Sequence, residues 1–498
     1  MVDQLGAGWL PAYGHPVVQA PTITALARAG VVFESAYCPS PLCAPSRAGL
    51  LTGRLPSRTG VFDNAAELRA SIPTVAHHLR AAGYATCLVG KMHFVGPDQL
   101  HGFEERLTTD IYPADLGWTP DWRRPVGERL PWYHTMESVL SPGVCAASMQ
   151  LDYDDEVAFR AVRRIFDFAR GGAREPFFLL VSFSHPHDPW ELRARDWARY
   201  DRDAIDAPAV PPIPRAEADP HSVRLRDMIG IDEAAPSDEQ VRTARHGYYA
   251  AISYVDERIG EVLAALRDAG VDGDTTVMLT ADHGEMLGER GLWYKMSFFE
   301  PSARVPLIVS SRRRFGPGRR SAPVSLLDLA PTLLELASAA PAEDLDMDAS
   351  SLVPLLDARP AERSSDVVGE YLAEGVTFPA VMVRRGRHKF IRCAGDPDQL
   401  YDLDADPLEL VNLAGEPAHA ELCRELGDEV AARWDLGELE RRVLESQRER
   451  RVVAAALGAG RPHGWDFQPS LDASMQYVRS RADLYELQRR ARLEARRP

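Results

Sequence analysis

Four short runs hold the residues of this chain best able to do chemistry. Cys43 opens Cys43-Ala44-Pro45-Ser46-Arg47, and Leu51-Thr52-Gly53-Arg54 follows it. The other runs are Lys91-Met92-His93, His185-Pro186-His187-Asp188-Pro189 and Asp282-His283-Gly284. Lys91, Arg47 and Lys295 offer positive charge to the nonbridging oxygens of an anionic ester. Asp3 and Asp282 offer hard oxygen ligands to a divalent ion of the calcium type. A histidine can give or take a proton near neutral pH. A helix that starts near Cys43 turns its amino end toward an anion.

The elements around these runs must bring them together. Val31-Val32-Phe33, Tyr84 to Gly90, Phe177 to Ser184 and Thr275 to Thr280 read as strands. Helical patterns alternate with them: Pro21 to Gly30, Ser71 to Gly83 with Ser71 as cap, Asp155 to Arg170 and Tyr248 to Ala269. This alternation predicts an α/β fold with a large, mainly parallel central sheet flanked by helices. Ligands bind beyond the carboxyl ends of such strands. The Lys91, His187 and Asp282 runs each follow one, and Cys43 follows the apolar stretch near Phe33.

The Cys-x-Pro-Ser-Arg run with its Leu-Thr-Gly-Arg tail resembles the sulfatase signature of the alkaline phosphatase superfamily. The resemblance implies that Cys43 is oxidised to formylglycine by a maturation enzyme, with Pro45 and Arg47 completing the signal. It implies that Arg47 steadies the aldehyde hydrate and that Lys91 and His93 match the Lys-x-His pair, His93 as a base. It implies that His187 and Lys295 hold sulfate and assist the leaving group. Asp3, Gln4, Cys43, Asp282 and His283 match the metal positions, for Ca2+ first and Mn2+ or Mg2+ as alternatives. Gln4 stands where many relatives have a second Asp. The family has an apolar strand before its first metal aspartate. Here Asp3 is the third residue, so that strand is expected to be missing, as in a fragment or a chain begun at an internal methionine, and Asp3 to lack its support.

A narrower resemblance, to choline sulfatases, lies in Leu55 to Glu67, Gly90 to Leu107 and Asp110 to Asp115. It implies choline O-sulfate as substrate. A quaternary ammonium is held by aromatic faces and a nearby carboxylate. The insert from Tyr112 to His134 supplies Trp118, Trp122, Trp132 and Tyr133. The resemblance favours Trp118 and His134, with Glu370 as carboxylate, Glu374 as its alternative and Asn64 on the sulfate side. Two other readings stay open: another sulfate ester or a phosphodiester as substrate, or a noncatalytic, truncated member.

The chain has 498 residues, 45% hydrophobic and 26% charged, enough for two or more domains. Residues 1–365 read as the catalytic domain, 366–440 as a smaller α+β domain with short antiparallel strands, and 441–498 as a helix and tail. The tail holds Trp465, Phe467 and Tyr477 and ends in a basic helix from Arg479 to Arg496, suited to a homodimer or homotetramer. A net charge of −16 speaks against nucleic acid. No run is long and apolar enough to span a membrane, and no signal peptide is read. Six cysteines without metal spacing suggest free thiols and the cytoplasm.

Overall fold

The computed structural model describes residues 1–125, 128–170, 176–339, 346–359, 366–461, 465, 467, 469 and 483–493. Along the chain come α1 (Pro21–Ala29), β1 (Val31–Tyr37), α2 (Cys43–Thr52), α3 (Val75–Ala81), β2 (Ala85–Gly90) and β3 (Glu105–Arg106). Then follow α4 (Met149–Arg170), β4 (Phe177–Ser182), α5 (Asp238–Ala269), β5 (Val277–Thr280) and β6 (Arg304–Ser310). β7 (Gly318–Arg320), β8 (Val324–Ser325) and α6 (Leu329–Ala337) complete the central layer.

Two sheet segments meet at the amino terminus. β2 lies between β3 and β4, parallel to both. β6 lies between β1 and β5, antiparallel to both, while β7 and β8 pair with β1 in parallel. Val2 bridges Phe183 and Ala281 in parallel and joins the halves. The expected loss of support at Asp3 is not found. Val2 N–H donates to Thr280 O at 3.0 Å, Asp3 N–H to Phe183 O at 3.2 Å, and Phe183 N–H to Met1 O at 3.1 Å. Two ladder neighbours fix the backbone there although only three residues occupy the strand position.

Gly90 shows how the sheet delivers a functional side chain. Its φ is +107°, and a Cβ there would sit 1.9 Å from Ser182 O. Only glycine lets β2 end against β4 and turn into Lys91, whose N–H donates to the same Ser182 O at 3.0 Å.

Several helices differ from their sequence reading at the start. α3 begins at Val75, because Thr74 and His77 form its capping box and residues before Pro73 are steered away from helix. α5 runs 32 residues from a Ser237–Gln240 capping box, ten earlier than the apolar periodicity suggests. Its first two residues are exposed and the next four only half-buried, too little apolar packing to show as periodicity, and the cap starts it. α4 starts at Met149.

Beyond the central layer, β9 (Asp366–Tyr371), β10 (Ala380–Arg385), β11 (His388–Cys393) and β12 (Gln399–Asp402) form an antiparallel meander. α7 (Ala420–Arg433) and α8 (Leu436–Gly458) follow. Buried residues from Val2 to Val443 form one apolar core through both sheets. Tyr477 and residues 479–482 and 494–496 of the expected terminal helix lie outside the described residues; helix is present over Leu484–Ala491. No helix among the described residues is long and apolar enough to cross a membrane.

Candidate active site

Strand ends and one helix start converge on Cys43. It opens α2, whose ten residues are all buried. Ala44 N–H, in the first turn, donates to Asn64 Oδ1 at 3.0 Å. Cys43 Sγ lies 3.1 Å from His283 Nε2, 3.7 Å from Lys91 Nζ and 3.9 Å from Asp3 Oδ1. One turn on, Arg47 is fully buried. Its Nε donates to Asp282 Oδ2 at 2.7 Å, and its Nη1 to Lys91 O at 2.5 Å and Ser182 Oγ at 2.9 Å. Arg47 thus ties together the ends of β2, β4 and β5. Its Nη2 has no hydrogen-bond partner among the described residues and lies 3.6 Å from Asp3 Oδ1.

Asp3 and Lys91 form a buried ion pair. Burial pushes the Asp3 carboxyl up, but Lys91, His187, Arg47 and His283 outweigh it and hold it well below the usual range. Burial pulls the Lys91 ammonium down, yet Asp3 and Cys43 leave it above its ordinary value. Both groups are charged around neutrality.

One ligand atom each from Asp3, Cys43, Asp282 and His283 lies within 4.8 Å of the others. His283 Nδ1 sits 3.0 Å from Gly284 O, which can only accept. That partner assigns the proton to Nδ1 and leaves the Nε2 lone pair facing Asp3, Asp282 and Cys43. Two carboxylates and an unprotonated imidazole fit a divalent cation. Gln4 does not join them. Its backbone takes a φ of +61° and turns the amide the other way. Gln4 Oε1 accepts from Lys295 Nζ at 2.6 Å, and Nε2 donates to Glu285 Oε2 at 2.6 Å. Burial raises the Glu285 carboxyl to about 7. Tyr248, on α5, pins Gln4 from behind through its carbonyl at 2.7 Å.

Lys295 Nζ also lies 2.8 Å from His187 Nε2, while His187 Nδ1 lies 2.8 Å from Asp188 O. The carbonyl assigns the proton to Nδ1, so Nε2 accepts from the ammonium. Burial and then Lys295 hold His187 well below its ordinary pKa. The two residues expected to act together on the leaving group are thus hydrogen-bonded to each other, with Lys295 Nζ as donor and a neutral His187 as acceptor. His93 is buried, and its two ring nitrogens have no partner among the described residues. Its ring centre lies 5.3 Å from that of Tyr112 and 6.0 Å from that of Trp118.

A cavity of about 470 Å³ opens from Cys43, His187 and Lys295. Asn64, Tyr112, Trp118, Trp132, His134 and Glu374 line it, among others. Trp118 stacks on Trp132 at 6.3 Å, and His134 on Tyr294 at 4.4 Å. Glu370 is not there. Ser57 N–H and Oγ–H donate to its carboxylate at 2.6 Å each, and Trp434 Nε1–H at 2.6 Å. A carboxylate so satisfied is a structural clamp. Glu374 is 4% exposed, and its Oε2 has no hydrogen-bond partner among the described residues. Burial raises its carboxyl to about 8.

Several residues here escaped sequence reasoning. Tyr112 Oη lies 3.0 Å from His187 Nδ1 and 3.2 Å from Nε2, and its ring faces Lys91 Nζ at 4.1 Å. Asp110 accepts from the Met92 and His93 amides at 3.0 and 2.8 Å, which sets the Lys-x-His turn. Asp154 does the same for the His187 loop through Ser184 and His185. Tyr112 and Asp110 lie within the run quoted for its resemblance, which was their one available signal.

The family model described as Sulfatase matches residues 1–339. The chain belongs to the sulfatase family. It is a sulfuric ester hydrolase. Residues 441–493 match the C-terminal model of the choline sulfatase enzyme, and 288–434 that of N-sulphoglucosamine sulphohydrolase. The Choline-sulfatase of Rhizobium meliloti (strain 1021) is 47% identical, covering 98% of this chain and 96% of its own. Arylsulfatase K of Danio rerio is 29% identical, covering 83% and 78%. Among solved structures, a phosphonate monoester hydrolase from Silicibacter pomeroyi shares the fold with a TM-score of 0.69 at 24% identity, covering 87% of this chain and 94% of that one.

Proposed function

We propose that this sulfatase hydrolyses choline O-sulfate to choline and sulfate. One observation carries the substrate: Glu374, a buried carboxyl whose Oε2 has no partner among the described residues, shares an aromatic-lined cavity with Cys43 and Lys295. A trimethylammonium group donates no hydrogen bond. It gains from ring faces and from an unengaged carboxylate, and the cavity offers the rings and a carboxyl that a bound cation would ionise. Trp118, Trp132 and Tyr112 supply faces, and Glu374 the charge. His134 stacks on Tyr294 and closes the side toward His187.

Family membership implies formylglycine at position 43 and a divalent metal. When present, the aldehyde hydrate supplies the hydroxyl that attacks sulfur, and the metal supplies positive charge to the sulfate oxygens. Asp3, Asp282 and His283 would hold the metal beside residue 43. The two carboxylates suit Ca2+ first, with Mn2+ and Mg2+ as alternatives. Lys91 and Lys295 bring positive charge toward the sulfate from two sides, and Asn64 fixes the head of α2. Lys295 Nζ gives its proton to the departing choline oxygen, while His187 Nε2 orients the ammonium. His93 would take the remaining hydroxyl proton of residue 43 as its bond to the sulfate oxygen breaks; water then adds back to the aldehyde, and of the two protons given up by the hydrate one restores Lys295 and the other leaves with sulfate.

The six free cysteines support a cytoplasmic setting, and oxidation of Cys43 calls for a dedicated maturation enzyme. Exposed Val452, Leu484 and Tyr485 support a homodimer or homotetramer through the tail, which light scattering before and after a cut near residue 459 tests. Steady-state rates on choline O-sulfate, an aryl sulfate and a phosphodiester test the substrate. The reading expects the largest kcat/KM for choline O-sulfate. An equal or larger value for the aryl sulfate overturns it.

A further inference from the structure

We propose that α8 is a strut that sets the shape of the cation pocket, with Arg450 and Gln447 as positioning residues for substrate selectivity. The proposal rests on the choline reading of that pocket.

α8 turns Leu439, Val443, Gln447 and Arg450 into the protein, one stripe at helical spacing. The two polar members of that stripe grip the pocket loops. Arg450 Nη1 and Nη2 donate to Asp63 Oδ1 and Oδ2 at 2.7 Å each, and Nη1 reaches Thr119 Oγ1 at 3.3 Å. Asp63 is fully buried. It immediately precedes Asn64, which holds the head of α2, and Thr119 immediately follows Trp118. One guanidinium therefore joins the sulfate-side loop to the aromatic wall.

One turn earlier, Gln447 Oε1 accepts from Trp122 N–H at 3.0 Å. The Trp122 indole then donates to Ala373 O at 2.6 Å, the residue before Glu374. Arg451 pairs with Asp121, and Arg442 Nη2 donates to Ser57 O at 2.7 Å. Glu370 clamps Ser57 to Trp434 at the entry to the helix. Asn64, Trp118 and Glu374 come from three distant segments, yet each lies next to or near a residue tied to α8. Among the described residues, no hydrogen bond or ion pair joins α8 to Lys91, His187, Asp282 or His283. The strut's reach toward residue 43 is indirect: Asp63 adjoins Asn64, whose bond to Ala44 N–H the variants below leave in place, so the sulfur chemistry is expected to change little.

A two-pronged guanidinium–carboxylate pair fixes both distance and angle. Lysine keeps the charge but not the fork. The test compares wild type, Arg450→Lys and Gln447→Met by kinetics and by amide hydrogen exchange. KM for choline O-sulfate is expected to rise about tenfold, with kcat and both constants for an aryl sulfate within about twofold. Exchange is expected to quicken at residues 57–66 and 118–124 and stay unchanged at 91–93 and 185–188. Unchanged exchange at both loops overturns the strut, as does an equal loss on both substrates. Faster exchange at both loops with an unchanged KM for choline O-sulfate keeps the strut and overturns the choline reading.

Discussion

Glu374 ties substrate binding to pH in a way that can be worked out beforehand. Burial raises its carboxyl from the ordinary 4.5 to about 8. In the empty cavity at pH 7 it is therefore mostly protonated, about one molecule in ten carrying the charge. A quaternary ammonium about 4 Å away is attracted to the carboxylate by about 4 kcal/mol at an effective dielectric of about 20. Ionising the group at pH 7 costs about 1.4 kcal/mol. The difference, about 2.6 kcal/mol, is a factor of roughly 80 in affinity. Titration calorimetry with choline, which lacks the sulfate and so does not engage residue 43, reads this directly. Choline affinity should rise about tenfold per pH unit from 6 toward 8 and then level, with a proton released on binding below pH 8. Glu374→Gln should bind roughly 80-fold more weakly than wild type at pH 7 and show no such slope. The stability effect has the opposite sign. Between about pH 4.5 and 8 the folded protein keeps a proton that the unfolded chain has released, so this group's contribution falls as pH rises through that window. A pH-independent wild-type affinity, or the same slope in the variant, refutes the assignment.

Other perturbations separate the remaining roles. Tyr112→Phe keeps the ring beside Lys91 and removes the hydroxyl at His187; kcat is expected to fall about tenfold with KM within about twofold, and equal loss from both terms would count against it. Trp118→Leu removes a face of the pocket, and KM for choline O-sulfate should rise roughly thirtyfold while an aryl sulfate is little affected, as parallel steady-state assays would reveal. Asp154→Ala strips three hydrogen bonds from the His187 loop, and thermal melting should show a loss of about 2–3 kcal/mol; an unchanged melting temperature would show that the loop holds its shape without them.

What could be read before folding followed from local rules. Cys43 and Arg47 lie four apart at a helix start, and Lys91 and His93 follow a strand that Gly90 ends. Such relations survive in a linear string. Glu370 and Glu374 are both buried acids four residues apart, and no local rule chooses between them. The choice depends on where β9 stops: Glu370 is still on the strand, facing Ser57 and Trp434, whereas Glu374 lies past its end beside Trp122. Gln4 sits one residue after a metal carboxylate, but its left-handed backbone sends the side chain to Lys295. The Arg450–Asp63 pair spans 387 residues of sequence, beyond any periodicity. Residues that do the chemistry were legible; those that orient them came from long-range packing.

The central claim is that residue 43 works in an oxidised state. A mass spectrum of the peptide containing residue 43, taken from a preparation that turns over choline O-sulfate, tests it. The account predicts the aldehyde, lighter than the thiol by a fixed and resolvable amount, in proportion to specific activity. Full turnover from a preparation whose residue 43 is entirely unmodified thiol would contradict it.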